Sequence, residues 1–67
     1  MIFKELYKLI EYSHVNIIEH LDANNFNVYS YPYKEQIPGN FKDREVLMVR
    51  AFSDKGVGVL EVHLEKR

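Results

Sequence analysis

Cysteine and tryptophan are absent from this chain of 67 residues, and it has only three glycines and two prolines. Without cysteine there is neither a disulfide staple nor a thiolate zinc site. A chain this short buries only about 60% of the surface its unfolded form exposes. Small scaffolds compensate with disulfides, a metal or oligomerisation, so the missing cysteines raise the expectation of self-association. They also fit a reducing cytoplasm. An excess of one charge is lacking too: 9 basic residues face 10 acidic ones, for a formal net charge of -1. No global field attracts nucleic acid, an anionic membrane or an acidic substrate. The pairs Lys34-Glu35, Lys42-Asp43, Arg44-Glu45, Asp54-Lys55 and Glu65-Lys66 cancel charge locally, so no basic stripe forms. A long apolar run is also missing. The N-terminal stretch is broken by Lys4, Glu5 and Lys8, which makes it neither a signal peptide nor a membrane span. These absences lead us to expect one soluble, cytoplasmic domain over residues 1–67.

In residues 2–12 the apolar side chains Ile2, Phe3, Leu6, Leu9 and Ile10 recur at three- and four-residue spacing, with Lys4, Glu5, Lys8 and Glu11 opposite. This is the pattern of an amphipathic helix, too short to persist without docking its apolar stripe on a sheet. Residues 14–21 are rich in β-branched side chains, and Asp22-Ala23-Asn24-Asn25 is a turn cluster in which Asn adopts positive φ cheaply. Residues 26–33 then run extended and complete a first hairpin. A rival assignment caps a second helix with Ser13 and runs it through Val15, Ile18 and Leu21. The strand is preferred because Val15, Ile17 and Ile18 are weak helix formers.

Residues 36–44 are irregular, broken by Pro38-Gly39-Asn40, with Phe41 expected to pin the loop to the core. Residues 45–52 and 57–65 form a second hairpin around Ser53-Asp54-Lys55-Gly56. With Lys55-Gly56 as the two-residue loop, Ala51 faces Leu60, Val49 faces Val62, Leu47 faces Leu64 and Arg50 faces Glu61; a loop at Asp54-Lys55 keeps the same faces. Leu47, Val49, Ala51, Leu60, Val62 and Leu64 then share one side, a core face for the helix to cover. The other side carries Val46, Met48, Arg50, Phe52, Val57, Val59, Glu61 and His63, too apolar to be simply wet. Its cover is either the loop around Phe41 or a second copy of the chain, which makes Val46, Met48, Phe52, Val57 and Val59 a candidate self-association face.

Tyr29, Tyr31 and Tyr33 recur at period two with Pro32 among them. Proline has no N–H for a central ladder, so this reads as an edge strand whose phenols either half-cover the core or form a partner-binding face. Stacking of single-stranded bases needs a positive groove beside the rings, and only Lys34, Lys42 and Arg44 are near in sequence. His14, His20 and His63 are scattered, and His14 and His20 lie too far apart along one strand to hold a single ion; no metal or other cofactor is expected. The carboxylates sit in turns or beside cations, Ser13, Ser30 and Ser53 lack a nucleophile motif, and Gly56-Val57-Gly58 lies in a hairpin and is no phosphate loop. No catalytic constellation emerges.

The order of an N-terminal helix with Lys4-Glu5-Leu6 and Leu9-Ile10, a hairpin, Ile37-Pro38, then Phe41-Lys42-Asp43-Arg44-Glu45-Val46 and a closing hairpin resembles a group of uncharacterised small proteins of phages and mobile elements of Gram-positive bacteria. That group carries no assigned activity. The resemblance implies strands rather than a second helix, and an accessory role in a mobile element. The expected fold is α+β, one N-terminal helix on a four-stranded, largely antiparallel sheet of two hairpins (α-β-β-loop-β-β). The expected function is a small non-catalytic protein-binding or adaptor protein, self-associating as a homodimer, with Tyr29, Tyr31 and Tyr33 in its contact surface. The alternative is a single-stranded nucleic-acid-binding accessory protein that stacks bases on the tyrosines.

Overall fold

A computed structural model of the chain describes residues 1–66. Its elements are a short helix α1 (Phe3–Tyr7), strands β1 (His14–His20) and β2 (Phe26–Tyr31), two 3-10 turns (Lys34–Gln36 and Gly39–Phe41), and strands β3 (Val46–Asp54) and β4 (Val57–Leu64). The fold is α+β, and both hairpins form. The strand order is β2-β1-β4-β3, with β1 and β4 parallel in the middle, so the sheet is mixed. The two central strands supply the fully buried Val15, Ile17, Val62 and Leu64, each worth about 1.5 to 3 kcal/mol on burial.

The helix is shorter than its apolar spacing predicts: it ends at Tyr7, and Leu9 is exposed while Ile10 is buried. Past Tyr7 the chain tightens into i→i−3 bonds, Leu9 N–H to the Leu6 carbonyl at 2.8 Å and Ile10 N–H to Tyr7 at 3.3 Å, and the Ile10 carbonyl accepts from the Lys34 ammonium. Residues 1–4 tie the start of the helix to the connection between β2 and β3: the Phe3 N–H donates to the Arg44 carbonyl at 2.9 Å, Lys4 N–H to Lys42 at 2.8 Å, and Val46 N–H to Met1 at 2.8 Å. The connection crosses one side of the sheet from the β2 edge to the β3 edge and sinks Phe41 into the core, where its ring lies 5.4 Å from that of Tyr29. Phe3, Ile10, Val15, Ile17, Phe41, Leu60, Val62 and Leu64 form that core.

The closing hairpin takes the register expected for a Lys55-Gly56 loop, with Asp54 opposite Val57, Ala51 opposite Leu60, Val49 opposite Val62 and Arg50 opposite Glu61. Both loop residues have positive φ, 53° at Lys55 and 82° at Gly56, as a type I′ turn requires. Register then breaks at Leu47: Met48 faces His63 but Val46 faces Leu64. This bulge leaves Leu47 unpaired and turns Val46 to the core side, against the expectation that Leu47 pairs with Leu64 and that Val46 belongs to the other face. In the first hairpin the turn is held by a side chain and uses no positive φ at Asn. Asp22 Oδ1 accepts the N–H groups of Asn24 at 2.9 Å and Asn25 at 3.0 Å.

Candidate functional site

Because α1 and the connection both lie on one side, no described segment covers the other side of the sheet. The Phe41 loop packs with the helix, so of the two covers considered for this face the loop is ruled out. The register places Phe26, Val28 and Ser30 of β2, His14, Asn16, Ile18 and His20 of β1, Val57, Val59, Glu61 and His63 of β4, and Met48, Arg50 and Phe52 of β3 on this open face. Its margins are apolar and wet, with Phe26, Val28, Met48 and Val57 all exposed. Its centre is polar. His20 stacks on His63 with ring centroids 5.1 Å apart and a 2.9 Å Nε2 to Nδ1 hydrogen bond. His63 Nε2 lies 2.7 Å from Glu61 Oε1, and the Arg50 guanidinium reaches Glu61 at 3.4 Å. The His63 contact first, then the Arg50 charge, holds the Glu61 carboxyl below its ordinary range. Asn16 Oδ1, between Ser30 and Glu61 in the ladder, is buried without a hydrogen-bond partner among the described residues.

Of the residues assigned to the self-association face, Met48 and Val57 are exposed and Phe52 is half-buried beneath the Arg50 guanidinium, 5.6 Å from its ring. Val59 is on this face but fully covered by its neighbours, and Val46 faces the core. The tyrosines separate. Tyr29 and Tyr31 face Ile17 and Val15 in the ladder and pack half-buried on the core, where burial pushes the Tyr31 phenol up. Tyr33 lies past the end of β2 with 62% of its surface exposed. The stripe is therefore mostly a lid on the core, continued by a single free ring.

The cations named for phosphate contact are dispersed as well. Arg44 is 7% exposed and pairs with Glu19 while donating to the Glu65 carbonyl at 2.6 Å. Lys34 donates to the Ile10 carbonyl at 2.7 Å and sits 5.0 Å above the Tyr7 ring. Lys42 alone of the three is in no hydrogen bond or ion pair through its side chain among the described residues. His14 hydrogen-bonds Ser30 at 3.1 Å, apart from the His20 and His63 pair. Among the described residues no group of three or more His, Cys, Asp or Glu is placed to hold a metal ion.

The edge of the sheet at β3 is free in a way the hairpin pattern does not announce. The covering layer reaches β4 but stops short of β3, so Leu47, Met48 and Val49 are 55%, 50% and 41% exposed in succession. Ala51, meant for the core, is exposed too. Comparison of the chain with protein-family models, curated proteins and solved structures returned no match. The geometry alone therefore carries the functional argument. Among the described residues no helix is long and apolar enough to cross a membrane.

Proposed function

We propose that this is a small non-catalytic binding protein that self-associates, with a second copy of the chain set along β3. The observation that carries this reading is the run of exposed Leu47, Met48 and Val49 on the edge strand β3, which past Val46, whose N–H goes to Met1, has no described strand beside it. Soluble proteins ordinarily blunt such an edge with proline, charge or a cover. Here the only charged side chains in the strand are Arg50 and the terminal Asp54, and the Leu47 bulge bends one end. In a two-fold, antiparallel pairing of β3 with its copy centred on Val49, facing residues lie on the same side of the joined sheet, so Val49 meets its own counterpart and Leu47 meets the copy's Ala51. On the open face Met48 then lies opposite the copy's Arg50. The non-catalytic part of the reading rests on the sequence, in which no nucleophile motif or phosphate loop emerges. The accessory role in a phage or mobile element stays with this reading and rests on the sequence resemblance.

Sedimentation equilibrium across a wide range of loading concentrations tests this. We expect a monomer–dimer equilibrium that Val49→Lys shifts to monomer, with circular dichroism unchanged because Val49 is already exposed. A monomer mass at every concentration for the unaltered chain would overturn the proposal.

A further inference from the structure

On the covered side, α1 and the connection leave a groove between them. Phe3, Tyr7, Ile37 and Pro38 form its apolar floor, Lys4, Lys8 and Lys42 stand around it, and it holds about 320 Å³. Lys4 and Lys8 are four residues apart and so share a side of the helical turn. Neither they nor Lys42 forms an ion pair with a described residue. Two acids close in the chain are turned elsewhere: Glu5 accepts the Ile2 N–H, and Glu45 pairs with the N-terminal amine at 3.0 Å. The Lys34 ammonium over the Tyr7 ring adds a fourth positive charge beside the floor. Although Glu35 and Asp43 follow Lys34 and Lys42 in the chain, no acidic side chain lines the hollow, and three lysines do.

We propose that this groove binds an acidic peptide segment, which seats one large apolar or aromatic side chain on Phe3, Tyr7, Ile37 and Pro38 and sets its carboxylates against Lys4, Lys8 and Lys42. The volume stands at the lower end of the range of about 300–1,000 Å³ typical of ligand sites, room for one anchor side chain and not for a long acyl chain. A single buried anchor inside a charged, solvated rim is how peptide interfaces concentrate their energy. A nucleic acid strand would find the cations but little to stack on, since the Lys34 ammonium already occupies one face of the Tyr7 ring. None of the groove's lining residues lies in β3, so this site is distinct from the proposed seam.

The test is selection of a random displayed-peptide library on the full chain, followed by fluorescence anisotropy of the enriched peptides. Two variants serve as controls. Gly39→Phe adds bulk at the groove from a position where a Cβ meets no atom within 4 Å, and circular dichroism checks that the fold is kept. The triple reversal Lys4→Glu, Lys8→Glu and Lys42→Glu changes only exposed charge. Enriched peptides are expected to carry acidic residues around an aromatic or large aliphatic one, to lose affinity with added salt, and to bind each variant at least tenfold more weakly. Sedimentation of both variants should match that of the unaltered chain, which separates this site from the β3 seam. No enrichment, enrichment of peptides without acidic residues, or equal binding to the triple variant would overturn the proposal. So would a labelled single-stranded oligonucleotide that outcompetes the selected peptides.

Discussion

Arg44 shows how much one side chain carries in so small a protein. Its guanidinium ties Glu19 on β1 to the Glu65 carbonyl beyond β4, joining the connection to both central strands. Asn27 and the Tyr29 hydroxyl also donate to Glu19. Arg44→Ala leaves Glu19 short of its charge partner in a largely buried site, and we expect a loss of about 3 kcal/mol, read from the urea midpoint. The same pair predicts an acid dependence. The Arg44 hydrogen bond, followed by that from Asn27, holds the Glu19 carboxyl below its ordinary range, so the folded state binds its proton less readily than the unfolded chain. That stabilisation is complete at neutral pH and disappears as pH falls through the lowered folded-state value. Glu61 acts with the same sign through His63. Thermal melts from pH 6 downward should therefore show Tm falling through the carboxylate range, with a shallower fall in Glu19→Gln.

At the scale of elements, the turn of the second hairpin is right for type I′ in geometry but not in sequence at its first position. Lys55 adopts φ 53° with a side chain that gains nothing there, whereas Asn adopts that region more easily. Lys55→Asn should stabilise the protein by up to about 1 kcal/mol, seen as a higher Tm, and Gly56→Ala should destabilise it by about as much. The bulge at Leu47 matters more for function than for stability. By shifting register one residue it spends Val46 on the core and leaves Leu47 to solvent, so the free strand shows three consecutive apolar side chains where a regular strand would alternate.

For the whole molecule, total exposed surface is not unusual: 4568 Å² against about 4,450 Å² expected for a monomer of this mass. What is unusual is its distribution. One layer of helix and connection covers β1, β4 and part of β2, while most of β3 is exposed and the far side of the sheet has wet apolar margins around the buried Ile18 and Val59. If a second copy covers β3, Tm should rise with protein concentration, since association stabilises only the folded form. Val49→Lys should abolish that dependence while leaving the dilute-limit stability within about 0.5 kcal/mol of the unaltered chain, as expected for an exposed substitution.

The sequence by itself determined the two hairpins, the location of the second turn within Ser53-Asp54-Lys55-Gly56, and the inward role of Phe41. Alternation, turn chemistry and one large aromatic in a polar loop act over short chain distances and need no knowledge of neighbours. Tertiary structure alone decided that β1 and β4 run side by side, and hence that His20 meets His63 and that Arg44 meets Glu19. Parallel pairing between strands so far apart in the chain leaves no local mark. Tyr29, Tyr31 and Tyr33 illustrate the division: their spacing fixed a common side for the two in the strand, but only the path of the connection decided that this side is the core. The same path, crossing toward β3 without covering it, turned a predicted core face into a bare edge. It also left the lysine-rimmed groove, whose two groups of lining residues are separated in sequence by the whole first hairpin.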